Sequence, residues 1–128
     1  MGDPEIPPEE PEDPPAEQED PLIMSILTCI KRLLGIEESY TQFDPDILVH
    51  INSAFMTLFQ LGIGPETGYS ITGSTETWSE FTEDRTDIEA IKTYVYLKVR
   101  LIFDPPQTGY LVEAINKQLV ELEWRLCE

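Results

Sequence analysis

A chain of 128 residues and 14.6 kDa has room for a single domain with one modest core. It carries 25 acidic against 8 basic residues, which gives a net charge of −17. A protein that binds free nucleic acid or an anionic membrane surface needs clusters of Lys and Arg, and the sequence has none. The composition therefore argues against both of these classes.

The two cysteines, Cys29 and Cys127, lie far apart in the sequence and lack the spacing of a metal site. Two cysteines are also too few for the disulfide framework of a small secreted domain, so we expect two reduced thiols in a cytoplasmic environment. No apolar run approaches the roughly 20 residues of a membrane-spanning helix. The first residues lack the basic and apolar regions of a signal peptide. We therefore expect no membrane association.

Residues 1–23 form a separate compositional zone, with seven of the 11 prolines, nine acids and no Lys or Arg. The remaining 16 acids and all 8 bases give residues 24–128 a net charge of −8. Because so little apolar content cannot offset the entropy cost of ordering, we expect an extended acidic arm of polyproline type. Two interpretations stay open: a solubilising tail, or an arm that becomes ordered against a partner. In the second, the predicted contact residues are Glu9, Glu10, Glu12 and Asp13.

After the arm, the sequence predicts a small, mainly α-helical domain of four helices. Residues 25–34 place apolar side chains on one face, and Gly35 is suited to end the helix. A second helix begins at the segment FDPD, with Asp44 as the N-cap residue and Pro45 at the first helical position. It runs to about residue 61.

Residues 62–81 form a long connection that contains four glycines. Connections of this length are uncommon in compact domains and are usually functional or locally structured. We expect short β-like pieces, such as Tyr69–Thr72, and we expect Trp78 to pack back onto the helices.

The third helix is predicted near residues 84–103 and contains the run IKTYVYLKVRLIF. Its β-branched and aromatic composition is typical of a strand, but its apolar positions repeat with a helical period. The repeat produces two apolar stripes on different faces. One stripe contains Ile88, Ile91, Val95, Val99 and Ile102, and the other contains Ala90, Tyr94, Leu97 and Leu101.

The segment Asp104-Pro105-Pro106 ends this helix, because proline cannot extend a helix and disfavours helical geometry in the residue before it. A fourth helix follows at about 108–126, and Trp124 and Arg125 lie near its exposed end. Its predicted buried stripe is Val112, Ile115, Leu119, Leu122 and Leu126.

No set of residues converges on catalytic chemistry. The single histidine, His50, lies within the second helix and is more typical of a packing or surface residue than of a ligand or base. Metal sites need several convergent ligands, and a phosphate loop needs a lysine that the segment Gly62-Ile63-Gly64 lacks. Neither cysteine has a nearby histidine to activate it. We therefore expect no enzyme activity, no metal and no cofactor.

The second apolar stripe of the third helix has two possible explanations. The helix is either central, with the other three around it, or it forms a subunit interface, where Tyr and Arg are common anchors. Both explanations can hold together if the helix is core at one end and interface at the other.

Four segments, in their order and spacing, resemble those of a known family. They are DILVHINSAF, the connection that ends at Trp78, KTYVYLKVRLIFDPP and ELEWRL. Over residues 25–126 the chain resembles the head–tail connector (adaptor) proteins of tailed bacteriophages and prophages. The arm over residues 1–23 lies outside this resemblance.

The resemblance implies a virion protein of the neck, made in the bacterial host cytoplasm, that forms a closed ring, a dodecamer, beneath the portal. Such a ring extends the DNA channel and offers a docking surface to a stopper or tail-completion protein. A ring needs two different complementary surfaces on each subunit. The residues predicted for one of them are Tyr94, Tyr96, Leu97, Arg100 and Leu101 on the third helix, with Tyr69 and Trp78 from the connection.

The resemblance also implies that the C-terminal segment docks on the portal through Trp124, Arg125 and Leu126. Many copies of an acidic body would give the channel a negative potential, so that genomic DNA passes without specific binding. For the acidic arm, we expect contact with a basic surface on a capsid, portal or connector subunit.

An alternative from a different class is an acidic antagonist that mimics DNA and occupies a basic host protein. A net charge of −17 suits that function. A mimic, however, needs carboxylates spaced like phosphates on one face. In this chain, nine of the 25 acidic residues are crowded into the proline-rich arm.

Overall fold

The computed structural model describes residues 24–81 and 87–127, and the arm residues Glu9, Glu10, Glu12 and Asp13 lie outside these ranges. Within the described part, the mainly α-helical fold that the sequence predicts is confirmed, and a fifth, short helix is added to the four predicted ones. The third predicted helix begins at Ile88, and the predicted residues before Asp87 are not described. The helices are α1 (Ile26–Leu34), α2 (Asp44–Gln60), α3 (Trp78–Phe81), α4 (Ile88–Phe103) and α5 (Gly109–Leu126).

Helix α1 has a defined start and a defined end. The Ser25 hydroxyl accepts a hydrogen bond of 3.2 Å from the backbone N–H of Thr28, which satisfies one of the free donors of the first turn. Gly35 ends the helix with a φ of 83°, a left-handed conformation that glycine adopts without a steric penalty. The predicted end of this helix is therefore confirmed.

The start of α2 lies one residue earlier than predicted. The backbone N–H of Ile47 donates to the Phe43 carbonyl, so Phe43 is the N-cap residue and Asp44 is the first helical residue. Asp44 does not cap the helix, because its carboxylate lies 2.9 Å from the ammonium group of Lys31. As a consequence, Pro45 occupies the second helical position rather than the first.

Lys31 is almost completely buried, with 2% of its surface exposed, and it fixes the connection between α1 and α2. Its Nζ donates hydrogen bonds to the carbonyl oxygens of Glu38, at 3.0 Å, and Tyr40, at 2.8 Å, in addition to its ion pair with Asp44. A buried ammonium group is tolerated only when such partners replace water. The ammonium group therefore ties the connection to the start of α2.

Helix α4 is the central element of the helical body, and it contacts α1, α2 and α5. Phe43, at the start of α2, packs edge-to-face on Phe103, at the end of α4, with ring centroids 5.3 Å apart. The Cys127 thiol, just after α5, points at the Leu61 carbonyl oxygen from 3.9 Å. These two contacts define opposite ends of the body: one holds the start of α2, the end of α4 and the start of α5, and the other holds the ends of α2 and α5.

The two apolar stripes of α4 are both largely core, which favours the explanation in which α4 is central. Tyr94 is fully buried and Leu97 is 6% exposed. The Tyr94 hydroxyl donates a 2.7 Å hydrogen bond to the Glu123 carboxylate on α5. Burial raises the pKa of Tyr94 and the Glu123 carboxylate raises it further, so the tyrosine remains a donor. The exception is Ile102, predicted on the buried face but 62% exposed.

No strand is present in residues 24–81 and 87–127. Pairing of the β type is limited to a single antiparallel bridge between Ser25 and Thr77, which brings the end of the long connection to the start of α1. The expected β-like piece at Tyr69–Thr72 does not pair with another backbone segment as a strand. Its position is fixed by side chains instead.

Candidate interaction surfaces

The long connection between α2 and α3 is held by two polar side chains. Asn52, on α2, satisfies both backbone groups of Ile71: its Nδ2 donates to the carbonyl at 3.0 Å, and its Oδ1 accepts from the N–H at 2.7 Å. Glu76 accepts hydrogen bonds from the N–H of Thr72 at 2.9 Å, from its hydroxyl at 3.0 Å and from the N–H of Gly73 at 3.3 Å. The connection is therefore locally structured, as its length predicts.

The hydrogen bonds also affect the charge of Glu76. Partial burial of this carboxyl acts to raise its pKa, but the hydrogen bonds from Thr72 and Gly73 favour the ionised form and outweigh it. The net effect is that the pKa of Glu76 is lowered from its ordinary value.

Beneath the connection lies a cluster of three aromatic rings, Phe55, Tyr69 and Phe81, with centroids 4.9 to 5.6 Å apart. Gly64 allows this packing, because a Cβ atom at that position would lie 2.5 Å from the Phe81 ring. The Tyr69 hydroxyl donates to the Glu80 carboxylate at 3.2 Å. Burial raises the pKa of Tyr69, and the hydrogen bond to Glu80 raises it further.

One exposed apolar area lies where this connection meets α2. Met56 is 55% exposed and Phe59 is 41% exposed, and together with the half-buried Tyr69 they border an open depression. We call Met56, Phe59 and Tyr69 the loop surface. Of its three members, the sequence prediction contained only Tyr69.

A second exposed apolar area flanks the corner Asp104-Pro105-Pro106. Ile102 is 62% exposed at the end of α4, and Tyr110 and Leu111 are 80% and 47% exposed at the start of α5. We call Ile102, Tyr110 and Leu111 the corner surface. Sequence reasoning missed it, although Tyr110 and Leu111 fall outside the predicted buried stripe of the fourth helix, which was the available signal.

The loop surface and the corner surface lie toward opposite ends of the body. Phe59 is two residues before Leu61, which lies against the end of α5. Ile102 is next to Phe103, which lies against the start of α2. Because two separate apolar surfaces occupy different ends of one chain, neither can cover the other within that chain.

The residues predicted for a subunit interface divide into two groups. Trp78, Tyr94 and Leu97 belong to the core of the chain, with 0%, 0% and 6% of their surface exposed, so their side chains have almost no surface to offer a neighbour. The other four keep exposed surface, and their interface role stays a prediction. They are Tyr69, Tyr96, Arg100 and Leu101.

The residues predicted to dock on the portal also divide. Trp124 is 73% exposed, and together with Val120 it forms an exposed apolar area on the second half of α5, which we call the terminal surface. Arg125 is exposed and pairs with Glu121 one turn away, at 2.8 Å. Leu126, by contrast, is buried at 4% exposure and anchors the helix end to the core.

The described residues show no cluster of three or more His, Cys, Asp or Glu side chains that could hold a metal ion. Cys29 is buried beside the indole of Trp78, and burial raises the pKa of its thiol, which makes the nucleophilic thiolate less available. Within residues 24–81 and 87–127, none of the helices is both long enough and apolar enough to span a lipid bilayer.

A helical body that exposes several separate apolar areas is typical of a protein that assembles with other proteins. Comparison with known families specifies the class: the family model described as phage connector protein matches residues 26–127. The chain therefore belongs to the phage connector protein family, and the predicted resemblance is confirmed. Neither the curated proteins nor the solved structures contain a match to the chain.

Membership of this family gives the chain a structural rather than an enzymatic role, as a head–tail connector and virion component. It also implies association with portal or tail components of the phage.

Proposed function

We propose that the protein forms a closed ring beneath the portal, extends the DNA channel and joins the capsid to the tail or to a stopper protein. It is made in the host cytoplasm and incorporated at the neck of the virion. The observation that carries the proposal, beyond family membership, is the presence of two different exposed apolar surfaces at opposite ends of one chain.

The pair of surfaces matters because of symmetry. In a ring, each subunit contacts its neighbours through two different patches that are complementary to one another, whereas a two-fold dimer uses the same patch twice. The loop surface contains an open depression bordered by Met56 and Phe59, and the corner surface presents the exposed ring of Tyr110. We call the interface between neighbouring subunits of the ring the seam. We assign it to contact between the corner surface of one subunit and the loop surface of the next.

Three of the residues predicted from sequence fit near this seam. Tyr96, Arg100 and Leu101 lie on the last two turns of α4 and keep exposed surface close to the corner. The Arg100 guanidinium lies 3.4 Å from the Tyr96 hydroxyl, so the two side chains form one polar pair near the corner. Polar rims around apolar centres are the usual anatomy of protein interfaces.

For portal docking, the terminal surface supplies the candidate anchor. An indole that is 73% exposed on a folded helix is unusual, and tryptophan is among the residues most enriched in interface hot spots. Arg125 adds a charged group next to Trp124, while Leu126 acts from beneath by holding the helix end in place.

The acidic character of the chain fits a channel for DNA. With 16 acids against 8 bases in residues 24–128, each copy adds negative charge to the ring, and a dodecamer multiplies it. A wall of the same sign as DNA disfavours sticking of the genome during passage.

The deciding experiment is imaging of purified portal mixed with this protein by electron microscopy. We expect class averages with an additional ring beneath the portal. Portal averages without added density would overturn the proposal. A monomer or dimer that instead captures a basic host protein would favour the DNA-mimic alternative.

The seam itself is tested with charge insertions in α2. Met56→Glu places a carboxylate in the loop surface, and Val49→Glu is the matched control, since Val49 is 61% exposed on the same helix but outside that surface. We expect Met56→Glu to prevent ring formation and Val49→Glu to allow it. Equal behaviour of the two variants would contradict this seam.

A further inference from the structure

A groove runs between α1 and α4, and its end near the corner includes Tyr96 and Arg100, which also lie near the proposed seam. It consists of two adjoining open depressions of ≈ 270 and ≈ 290 Å³ that share Arg32 and Leu33. Lys92 and Thr93 line the first depression, and Tyr96 and Arg100 line the second. We call this feature, centred on Arg32, Lys92 and Arg100, the basic groove.

The cations of the basic groove have weak partners among the described residues. Arg32 lies 3.8 Å from the Glu38 carboxylate, and Lys92 lies 3.5 Å from Glu89, at one end of the groove. Arg100 contacts the Tyr96 hydroxyl and the Asp104 carbonyl oxygen, both at 3.4 Å. By comparison, the ion pairs of Lys31 and Arg125 are 2.9 and 2.8 Å long.

These distances have an electrostatic consequence. Contacts of 3.4 to 3.8 Å are longer than a good charge-assisted hydrogen bond, so Arg32 and Arg100 keep capacity for further carboxylates. Lys92 is 8% exposed and contributes its charge from beneath the groove surface. The lining also contains Glu89 and Asp104, so its cations exceed its acids by one, which is still a local exception in a chain whose net charge is −17. The groove is therefore complementary to an acidic segment.

The chain carries such a segment immediately before the first described residue. Met24, the first described residue, lines the same depression as Lys92. The residues just before it are Glu17, Gln18, Glu19 and Asp20, followed by Pro21-Leu22-Ile23. The segment thus contains both acidic and apolar residues. The groove offers partners for both, because Leu33 and Cys29 lie beside the cations.

The reach of the segment also fits. Along α4, the groove extends from Glu89 to Asp104, about 22 Å at a rise of 1.5 Å per residue. Residues 17–23 in a polyproline conformation, at about 3.1 Å per residue, span about 22 Å. Residues 17–23 are therefore long enough to reach from Met24 to Arg100 of the same chain along the groove.

We propose that residues 17–23 of the acidic arm dock in the basic groove of their own chain, with Glu17, Glu19 and Asp20 facing Arg100, Arg32 and Lys92. The arm then covers the basic groove of an otherwise acidic body. This assignment concerns contacts within one chain, so its test reports on the arm separately from ring formation and portal docking. It shares Tyr96 and Arg100 with the proposed seam.

The test uses zero-length carbodiimide cross-linking of the full chain, which joins carboxylates to amines that touch them. Arg100→Lys supplies a reporter amine at the far end of the groove with no change of charge. Cross-linked peptides are identified by mass spectrometry in a mixture of nitrogen-14 and nitrogen-15 chains. We expect links between the arm and position 100 that contain a single isotope.

Tethering alone could bring the arm to the reporter, so charge reversal provides the control. In the reporter background, Arg32→Glu changes the charge within the groove, and Lys117→Glu makes the same change on α5. We expect the first to lower the yield of the link about fivefold and the second to change it less than about twofold. Arg32→Gln serves as a milder variant if the reversal disturbs folding, which circular dichroism reports, and it should lower the yield in the same direction.

Three results would overturn the proposal. One is a link yield at position 100 no greater than that at the native Lys117. Another is an equal fall in yield for the variants at Arg32 and Lys117. The third is a predominance of mixed-isotope links, which would place the arm on a neighbouring chain instead.

Discussion

Replacement of the buried Lys31 tests the local structure between α1 and α2. Lys31→Met keeps the length and apolar stem of the side chain but removes the ammonium group. The variant loses two hydrogen bonds to backbone carbonyls, at 2.8 and 3.0 Å, and the 2.9 Å ion pair with Asp44. Arg32→Met is a matched control on the adjacent residue, because the Arg32 side chain is 52% exposed and its ion pair is 3.8 Å long.

The size of the effect follows from these contacts. Hydrogen bonds from a charged donor contribute about 1.5–3 kcal/mol each, and removal of one partner from a buried ion pair costs about 3–5 kcal/mol. The Asp44 side chain is 21% exposed and the two carbonyls belong to exposed residues, so water can replace part of what is lost. We therefore expect the low end, a loss of about 3 kcal/mol in the free energy of unfolding. The Arg32→Met control should lose no more than about 0.5 kcal/mol.

Urea unfolding followed by circular dichroism measures both variants, at several protein concentrations so that self-association is held constant. With a slope of about 1.5–2 kcal/mol per molar urea, a loss of 3 kcal/mol lowers the midpoint by about 1.5–2 M. Adding Asp44→Asn to Lys31→Met should restore about 1 kcal/mol, because it removes the carboxylate left without its cation. A midpoint for Lys31→Met equal to that of Arg32→Met would refute the reasoning.

Three further substitutions test other contacts. Tyr94→Phe removes the 2.7 Å hydrogen bond to the Glu123 carboxylate and should lower the free energy of unfolding by about 2 kcal/mol in the same urea titration. Tyr96→Phe is the control and should change it by less than about 0.5 kcal/mol. Glu76→Gln should cost about 1 kcal/mol at pH 7. The pKa of Glu76 is lowered in the folded chain, so its carboxylate stabilises the fold at pH values above the ordinary pKa of 4.5. This stabilisation is lost as the pH falls through the folded pKa. If the free energy of unfolding of the wild type fell no more steeply with acid than that of Glu76→Gln, the reasoning would be contradicted. Trp124→Ala should weaken portal binding at least about tenfold in a titration with labelled portal. Val49→Ala, at a residue that is 61% exposed and outside the loop, corner and terminal surfaces, is the control that keeps portal affinity.

The helices could be predicted from sequence because their signals are local. Apolar residues at a helical period define α1, α2, α4 and α5, and the structure buries most of the side chains that this period selects. The corner Asp104-Pro105-Pro106 was predictable for the same reason, since proline acts on its immediate neighbours. The short helix α3 was not, because four residues carry too little periodicity to distinguish a helix from a loop.

The error at the start of α2 has a tertiary cause. Asp44 has the residue type and position of an N-cap, and local propensity alone favours that role. In the fold, however, the carboxylate lies beside the buried ammonium of Lys31, thirteen positions earlier, and a buried cation has a stronger need for this carboxylate than a helix end that water can solvate. Sequence reasoning had no means to know that Lys31 is buried.

The interaction surfaces were harder to predict than the fold, and α4 shows why. Periodicity reveals which residues of a helix are apolar, but not how many neighbouring helices surround it. Because α4 contacts three helices, the residues Tyr94 and Leu97 that seemed in excess for a small domain are used within it. The exposed apolar residues are found instead where α4 ends, at Ile102, and on the outer faces and ends of the helices around it, for example at Met56 and Val120.

This placement has a consequence for assembly. A central helix that is buried on both faces leaves the ends and outer faces of the surrounding helices as the places where a second chain can bind. In this chain those places are unlike one another: the loop surface borders a depression beside Tyr69, and the corner surface presents the exposed ring of Tyr110. Repeated contact between unlike surfaces on opposite ends of a subunit adds subunits in one direction. The row of subunits closes into a ring when the rotation between neighbours is a whole fraction of a full turn. The burial of Tyr94 in the central helix thus agrees with the proposed seam, which uses the ends of the body rather than the face of that helix.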